Sequence, residues 1–421
     1  MTVAFPAHPW AVRSFLLLGV SLPFSTSLTT ISSYATLVLL LLSGGWRERR
    51  AAFGASRVAW ALLLLFALLG LGVFYGELTL AEAGRVFWKY HYLLLAVLLL
   101  PFFADERVRM LGVRLFLVAM SGVVALSVIA QVWAGRVHPD SVFYPLLRPD
   151  NPGLLKSYIS TSLMMSFYVF VLAHHAFRFR QGRWVGVALA GLGMQYILYF
   201  SPGRSGYVLL MVLLFVFAAQ VTPRRYLLPV FAAVGAVLVV VLSTSATIQQ
   251  RLDAAVLDYR LMQDKSHENS IGARYDYFVN GLALIREKPV AGGGTGSVLV
   301  RYTRLQQSRV AQEGLQPPVA PGAVRASTTQ PTSNLHNQYL EFGVQVGLMG
   351  VMALVWVWVA QWQASCKQDG FFRDLSQGFV VLFAVGCLIN SMLMDFTERY
   401  FFTYFTVVLF ANTVEAKEAS P

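Results

Sequence analysis

The sequence predicts an all-α integral membrane protein, with about 12 transmembrane helices and one long external loop late in the chain. Composition is the first reason. Of 421 residues, 56% are hydrophobic and 13% are charged, whereas soluble domains average about 25% charged residues. The mean hydropathy of +0.58 also indicates a membrane protein. Spacing is the second reason, because the apolar residues form blocks of roughly 17–25, the length that crosses about 30 Å of hydrocarbon.

The apolar blocks predict the positions of the spans. In chain order they are 12–28, 31–45, 58–75, 86–103, 111–133, 157–174, 184–200, 205–221, 226–244, 340–362, 376–394 and 400–414. The first two are short enough to form one broken hairpin. Residues Trp10 to Leu28 resemble the apolar part of a signal peptide, but no small-x-small cleavage site follows, so we predict that this segment is retained.

Basic residues predict the orientation of the spans, because Lys and Arg concentrate in alternate loops. The loops that are rich in Lys and Arg contain Arg47, Arg49, Arg50, Arg57, Arg107, Arg109, Arg178, Arg180, Arg183, Arg224, Arg225, Lys367 and Arg373. We predict that this side is cytoplasmic and that both termini lie there. Helices 1–9 then occupy residues 1–244, an external loop occupies 245–335, and residues 336–421 hold helices 10–12 and a short cytoplasmic tail. The net charge of +12 largely reflects this bias and does not itself indicate a nucleic-acid partner.

The external loop is the only soluble segment predicted to be large enough to hold structure of its own. Helical spacing appears at 252–262 and again at 270–288, where Pro289 ends the pattern. The apolar residues of the second helix share one face, which predicts packing against the membrane domain; they are Tyr277, Phe278, Leu282 and Ile285. The stretch 306–333 is rich in Gln, Pro, Ser and Thr and is predicted to be irregular.

Two outward-facing arginines are candidates for binding an anion. Arg204 lies in the turn Ser-Pro-Gly-Arg-Ser-Gly, and Arg274 lies near the start of the second loop helix, followed by Tyr275 as a candidate substrate contact. A guanidinium grips phosphate with two parallel hydrogen bonds. A cation at a helix N-terminus opposes the helix dipole unless an anion is bound there. The alternatives are interfacial snorkelling for Arg204 and a surface ion pair for Arg274, with Asp276 or Glu268.

Four further residues of the outer face are candidates for contacting lipid or substrate. Arg85 and Lys89 stand one helical turn apart at the outer start of the fourth span, where ionisable groups need a partner. Asp395 and Arg399 mark the last outward turn. The alternatives are snorkelling for the first pair and an ordinary salt-bridged loop for the second.

His336 and a glycine-rich segment complete the candidate site. His336 lies where the loop returns to the membrane, and an imidazole there could act as a general base or simply as an interfacial polar residue. Gly343, Gly347 and Gly350 follow nearly on one helix face, which predicts close helix packing. Residues 289–296, Pro-Val-Ala-Gly-Gly-Gly-Thr-Gly, allow a turn with converging N–H groups. No strand precedes it, so a plain loop is the preferred interpretation.

These pieces together resemble the O-antigen ligase and O-antigen polymerase superfamily. The similar motifs are Gly-Arg-Ser-Gly at 203–206, Gly-Ala-Arg-Tyr-Asp-Tyr-Phe at 272–278, Arg-Glu-Lys-Pro-Val-Ala-Gly-Gly-Gly-Thr-Gly at 286–296, and Leu-His-Asn-Gln-Tyr-Leu-Glu at 335–341. Their order around one large external loop is more specific than any single motif. The resemblance covers roughly residues 190–365.

The resemblance implies transfer of a glycan from undecaprenyl diphosphate to an acceptor hydroxyl at the periplasmic face of a bacterial inner membrane. In the ligase branch the acceptor is the lipid A–core oligosaccharide. The resemblance also implies a GT-C-like fold and an inverting reaction that needs no metal or other cofactor. It assigns the essential histidine to His336, the essential arginines to Arg204 and Arg274, and an acidic residue to Asp395.

Three alternatives stay open beside the ligase. A polymerase would use a second lipid-linked repeat unit, and a protein O-oligosaccharyltransferase would use a serine. One dominant loop and the end of the chain soon after the last span favour the ligase. A transporter of lipid-linked glycans would show repeat symmetry and mid-membrane charges, which the sequence lacks. The sequence also lacks Asp-x-Asp, Walker, zinc-ligand and Gly-x-Ser-x-Gly motifs, which disfavours ATP-driven transport, metal-dependent sugar-nucleotide chemistry and serine hydrolysis.

Overall fold

The regular secondary structure of the protein is helical throughout the part that the structure describes. A computed structural model describes residues 8–44, 53–133, 141, 154–245, 249–250, 253, 256, 270–312 and 332–411. The helices are α1 Pro9–Ser21, α2 Thr26–Leu41, α3 Arg57–Leu71, α4 Leu80–Trp88, α5 His91–Leu99, α6 Glu106–Trp133, α7 Tyr158–Arg178, α8 Arg183–Gln195, α9 Arg204–Val221, α10 Leu227–Thr244, α11 Ser270–Glu287, α12 Val298–Gln312, α13 Gln338–Ser365, α14 Gly370–Ile389 and α15 Phe396–Phe410. The predicted all-α class is confirmed.

Within these ranges, five helices are long and apolar enough to cross a membrane. They are α6, α7, α9, α13 and α14, and α4 with α5 would form a sixth span bent by 45°. The protein is therefore a multi-pass helical membrane protein, as predicted. The larger predicted number of spans stays a prediction. The first two predicted spans are separate helices, α1 and α2, because the hydroxyl of Ser25 accepts a hydrogen bond from Leu28 N–H and so begins a new helix.

The predicted cytoplasmic residues meet at one end of the bundle. Arg109 is 2% exposed, and its guanidinium donates to the backbone carbonyls of Val408 and Leu409 at the end of α15. Arg178, at the end of α7, forms an ion pair with Asp374 at the start of α14. Residues from three predicted cytoplasmic segments thus contact partners at the same end, and the predicted orientation of that end stays a prediction.

Helix α13 is broken inside the membrane domain. Val346 and Gly347 have non-helical backbone angles, and φ of Gly347 is +68°. Backbone groups released by such a break must find partners, because lipid offers none. The predicted close packing is confirmed at Gly343 and Gly347, where a Cβ would stand 2.4 Å from Ile285 Cδ1 and 2.1 Å from the carbonyl oxygen of Val290. The prediction of one shared helix face that includes Gly350 is wrong, because the helix is interrupted at Gly347.

The glycine-rich segment 289–296 supplies those partners. Gly293 N–H and Gly294 N–H donate to the carbonyls of Val344 and Gln345, at 2.9 and 2.7 Å. In return, Leu348 N–H donates to the carbonyl of Pro289 at 2.8 Å. The segment therefore works as an inserted turn that completes the hydrogen bonding of a broken membrane helix.

The same turn is bonded on its other side to the end of α3. Thr295 N–H donates to the Gly72 carbonyl at 2.9 Å, and Glu77 N–H donates to the Gly293 carbonyl at 3.1 Å. Every N–H from Gly292 to Ser297 has a protein acceptor. The segment is thus not an anion-binding turn, and the preferred interpretation of a plain structural loop is confirmed.

The external helices pack on the first part of α13. The predicted helix 270–288 is confirmed as α11, whose Leu284 is buried with Tyr302, Leu335, Leu340 and Val344. The prediction for Phe278 is wrong, because its side chain is 48% exposed. The prediction of irregular structure is wrong for 306–312, which belong to α12. The rest of that stretch up to 331, and the predicted helix 252–262 apart from 253 and 256, lie outside the described residues.

One carboxylate holds this external layer to the loop after α3. Glu77 contacts Lys288 at 2.9 Å, Arg304 at 2.9 Å and Arg301 at 3.7 Å. Burial raises the pKa of Glu77, but the hydrogen bond and charge of Lys288, with the charges of both arginines, more than offset this and lower it below its usual value. The ionised form is therefore the one that the fold stabilises.

We expect Gly294→Ala to lower the unfolding temperature of the purified protein clearly. Its φ is +89°, and a Cβ would stand 2.1 Å from Gly76 Cα, so strain and overlap together cost about 2–4 kcal/mol. Gly191→Ala is the matched control, because it lies within α8 with no heavy atom within 4 Å of a Cβ. Thermal unfolding in detergent should show no loss for the control; equal losses would contradict the role of the turn.

We expect Glu77→Gln to destabilise the protein at neutral pH. A carboxylate with a lowered folded-state pKa contributes stability that is present above its unfolded pKa and lost as the pH falls through the folded value. The difference in unfolding temperature between wild type and variant should therefore shrink on acidification below about pH 4.3. A difference that stays constant across that range would contradict the ionic role of Glu77.

Candidate active site

His336 lies in a strained conformation just before α13. Its φ is +51°, a left-handed value that is uncommon outside glycine, although asparagine, aspartate and histidine adopt it more often than other residues. Its N–H donates to Asn334 Oδ1 at 2.8 Å. On the other side, Asn337 caps α13 by accepting from the N–H groups of Tyr339 and Leu340. Strain of this kind persists where the surroundings fix it, which is typical of functional positions.

The imidazole of His336 is held by three elements. Its Nδ1 lies 2.9 Å from Oδ1 of Asn390, the residue that ends α14. The ring stacks on Tyr277 of α11, with centroids 5.9 Å apart and planes 24° apart. Asn390 in turn has its Nδ2 3.4 Å from Oδ2 of Asp395, which precedes α15. The external layer and two membrane helices therefore fix one side chain.

A cavity of 610 Å³ opens beside His336. Its walls come from the turn before α7, the segment before α13 and the turn between α14 and α15. The lining residues are Thr26, Leu155, Lys156, Ser157, Ile159, Ser160, Asn334, His336, Asn390, Asp395, Phe396, Thr397 and Glu398. Hydroxyl, amide and carboxyl groups dominate this lining, and Phe396 adds an aromatic ring.

Two acids and one lysine carry the charge of the cavity wall. Burial raises the pKa of Asp395 above its usual value, and the charge of His336, the hydrogen bond from Asn390 and the charge of Arg399 oppose that rise only in part. Glu398 is 2% exposed and accepts a hydrogen bond from Ser160 Oγ at 2.7 Å. Burial lowers the pKa of Lys156, partly offset by Glu398. The cavity itself is thus not a strongly cationic site.

The Arg204–Arg274 pair lies outside the cavity lining, and the charges of its two residues interact. Arg204 begins α9, and Arg274 lies in α11. The pKa of Arg274 is lowered first by burial and then by the positive charge of Arg204, while Tyr158 acts in the opposite direction. Tyr158 lies between the cavity residues Ser157 and Ile159. Two like charges held close together create a strong potential for an anion.

The other predicted substrate contacts lie outside the cavity lining. Arg399 donates to the Lys89 carbonyl at 3.0 Å and lies over the rings of Phe396 and Tyr400. This bond satisfies a carbonyl at the bend between α4 and α5. Arg85 and Lys89 have exposed side chains, and Tyr275 is 52% exposed. These residues surround the site without forming its wall.

Residues 185–355 match the family model Wzy_C, described as O-antigen ligase. The resemblance to the O-antigen ligase family is confirmed over this part of the chain. The matched O-antigen ligase region holds Arg204, Arg274 and His336, and it includes the inserted glycine-rich turn. Asn390 and Asp395 lie beyond it.

A further similarity is with a protein of Haemophilus influenzae strain Rd that is described as uncharacterized. The two are 34% identical over 109 residues, which is 26% of this chain and 24% of that protein. The chain therefore spans about a quarter of the length of the curated relative it matches.

Sequence reasoning missed several residues that line the candidate site. Asn390 lay inside a predicted span, although the pair Asn390–Ser391 interrupts its apolar run and marks the true end of α14. Lys156 and Ser160 were assigned only to a loop and a span start. No local motif reveals them, because they reach the cavity through contacts between distant parts of the chain.

Proposed function

We propose that this chain transfers a glycan from undecaprenyl diphosphate to the lipid A–core oligosaccharide at the periplasmic face of the bacterial inner membrane. Membership of the O-antigen ligase family indicates membrane glycosyl transfer. The observation that carries the finer proposal is that His336 lines a polar cavity and stacks on Tyr277, which lies one helical turn from Arg274 on α11. Such a placement suits a reaction with an anionic leaving group on one side and a hydroxyl nucleophile on the other.

The two arginines are assigned to the donor diphosphate. As the glycosidic bond of the donor breaks, negative charge grows on the leaving diphosphate oxygen. Fixed guanidinium groups in a partly desolvated site stabilise that charge without rearranging, and they bind phosphate oxygens in pairs. The polyprenyl chain of the donor would lie among the membrane helices below.

His336 is assigned as the general base for the acceptor. The acceptor oxygen bonds to the anomeric carbon while the bond from that carbon to the diphosphate oxygen breaks. The electron pair of that bond leaves with undecaprenyl diphosphate, and the hydroxyl proton passes to the imidazole. A single attack opposite the leaving group inverts the anomeric carbon. A positioned base contributes about 10²–10⁴-fold to such a step.

The cavity is assigned to the acceptor sugar. Asp395 and Glu398 would repel a diphosphate, whereas carboxyl, amide and hydroxyl groups accept and donate hydrogen bonds to sugar hydroxyls. The ring of Phe396 can pack on a sugar face. This division of charge supports separate donor and acceptor sides, with His336 at their boundary.

Reconstitution of the full chain tests the proposal directly. The purified protein is mixed with undecaprenyl-diphosphate glycan and, separately, with lipid A–core, a second lipid-linked repeat unit or a serine-containing peptide, each with and without a chelator. We expect transfer to lipid A–core that survives chelation. Product on another acceptor alone would replace the ligase by the polymerase or the protein glycosyltransferase. Movement of labelled lipid between leaflets without a new glycosidic bond would favour a transporter.

We expect His336→Ala to reduce kcat for glycan transfer by about 10²–10⁴-fold, because the acceptor hydroxyl loses its proton acceptor. Donor binding should change little, since the arginine pair is intact. Single-turnover transfer and donor-binding assays on the same preparation separate the two effects. Full transfer by a folded variant would remove His336 from the mechanism.

We expect Arg204→Ala or Arg274→Ala to reduce kcat/KM by roughly 10- to 100-fold, because a charge-assisted hydrogen bond to phosphate is worth about 1.5–3 kcal/mol. Lysine at either position should restore only part of the loss, since it lacks the two-pronged geometry. Arg309→Ala is the matched control, because Arg309 is an exposed arginine of α12. Losses equal to that of the control would contradict the assignment.

A further inference from the structure

Asn390 connects the candidate base to a buried acid through one amide group. Its side chain is nearly inaccessible, with an exposed fraction of 3%. Its Oδ1 lies 2.9 Å from Nδ1 of His336, and its Nδ2 lies 3.4 Å from Oδ2 of Asp395. The residue ends α14 with extended backbone angles, φ −157° and ψ 162°, so its side chain is aimed by the end of a membrane helix.

We propose that Asn390 is a positioning residue that selects the tautomer of His336 able to accept a proton at Nε2. The inference rests on the proposed function, because it concerns how the base of that reaction is prepared. It assigns to a neutral amide the orienting task that carboxylates perform beside many catalytic histidines.

The orientation of the amide follows from its two neighbours. An asparagine side chain offers one acceptor oxygen and one donor NH₂ group. In the structure the NH₂ group faces Asp395 and the oxygen faces His336. The carboxylate form of Asp395 can only accept; burial opposes that form by raising the Asp395 pKa, and the charges of His336 and Arg399 offset this rise in part. The hydrogen bonds of Asn390 to His336 and to Asp395 thus define one orientation of its amide group.

The tautomer follows from the oxygen. Because Oδ1 of Asn390 can only accept, Nδ1 of the neutral imidazole must carry the hydrogen. The lone pair of the neutral ring is then on Nε2. The stack with Tyr277 restricts ring rotation, and the bond from His336 N–H to Asn334 fixes the backbone. Removing the acceptor at Nδ1 would free the ring to adopt the other tautomer.

A neutral partner orients the imidazole without placing a full negative charge in contact with it. A carboxylate in direct contact stabilises imidazolium, which cannot accept a proton. The charged groups that line the cavity with His336 are Asp395 just before α15, Glu398 in the first turn of α15, and Lys156 from the turn before α7. Asn390 separates the imidazole from Asp395, so the ring is oriented by a carboxylate that it does not touch.

The first test observes the ring without any reaction. The chain has seven histidines, so ¹⁵N-histidine labelling of the full protein gives few signals, and His336→Ala identifies the relevant pair. We expect the wild type to show a neutral ring protonated at Nδ1. In Asn390→Ala, the His336 ring should lose its preference for protonation at Nδ1. In Asn390→Asp, the ring should keep that preference and titrate at higher pH than in the wild type. An unchanged tautomer in Asn390→Ala overturns the inference.

The second test follows glycan transfer as a function of pH. We expect Asn390→Ala to lower kcat by about 10- to 100-fold with little change in KM. Asn390→Asp should recover part of this loss and move the acidic limb of the rate profile to higher pH, because its carboxylate favours the inactive imidazolium. A profile for Asn390→Asp identical to that of wild type would contradict the inference.

Controls separate positioning from folding and from the proposed function. Asn280→Ala removes another buried asparagine, whose Nδ2 donates to Tyr302 Oη at 2.9 Å; it should change stability without changing the pH profile. If Asn390→Ala does not fold, Asn390→Asp carries both tests. Full transfer by His336→Ala would overturn the assignment of His336 as the base. The ¹⁵N experiment tests only whether Asn390 sets the tautomer of His336, and it does not depend on transfer activity.

Discussion

The hydrogen bonds between the broken helix α13 and the inserted turn 289–296 determine how the external layer sits on the membrane domain. A helix interruption at membrane depth is tolerated only where protein groups replace the missing bonds. Here Gly293 and Gly294 replace them, and their lack of side chains allows two backbones to meet. Helices α11 and α12 flank the turn. The turn thus supplies hydrogen-bond partners to the backbone groups at the break in α13. Arg274 on α11 and His336 before α13 hold fixed positions because of these bonds.

Electrostatics distinguishes two parts of the candidate site. Asp395 and Glu398 belong to the cavity wall, whereas the Arg204–Arg274 pair concentrates positive charge outside that lining. Charge separation of this kind lets a single pocket accept an anionic leaving group and a neutral, hydroxyl-rich partner without placing either in the wrong half. His336 lies in the cavity lining, where the proposed function requires a proton acceptor.

The features that depend on local sequence patterns could be predicted from the sequence. The features that depend on contacts between distant parts of the chain could not. The helical class, α11 and the candidate residues Arg204, Arg274 and His336 follow from hydropathy, helix periodicity and short motifs. The break in α13 was not predicted. The turn that bonds to the broken helix lies some 50 residues earlier in the chain, and its glycines by themselves predict only a loop. Phe278 was placed on the buried face by periodicity, but the packing partner of α11 selects Leu284 instead. Asn390 was hidden for a related reason, since apolar residues on both sides made a helix end resemble the inside of a span.

The cavity wall has a consequence for how such a protein can diversify. His336 and the two arginines lie inside the segment that matches the O-antigen ligase family, but Lys156, Ser160, Asp395 and Glu398 come from chain segments on either side of it. The groups assigned to bond breaking and the groups assigned to acceptor recognition are thus encoded in different stretches of the gene. Under the proposed function, changes in the flanking stretches would alter which acceptor is used while the transfer chemistry stays intact.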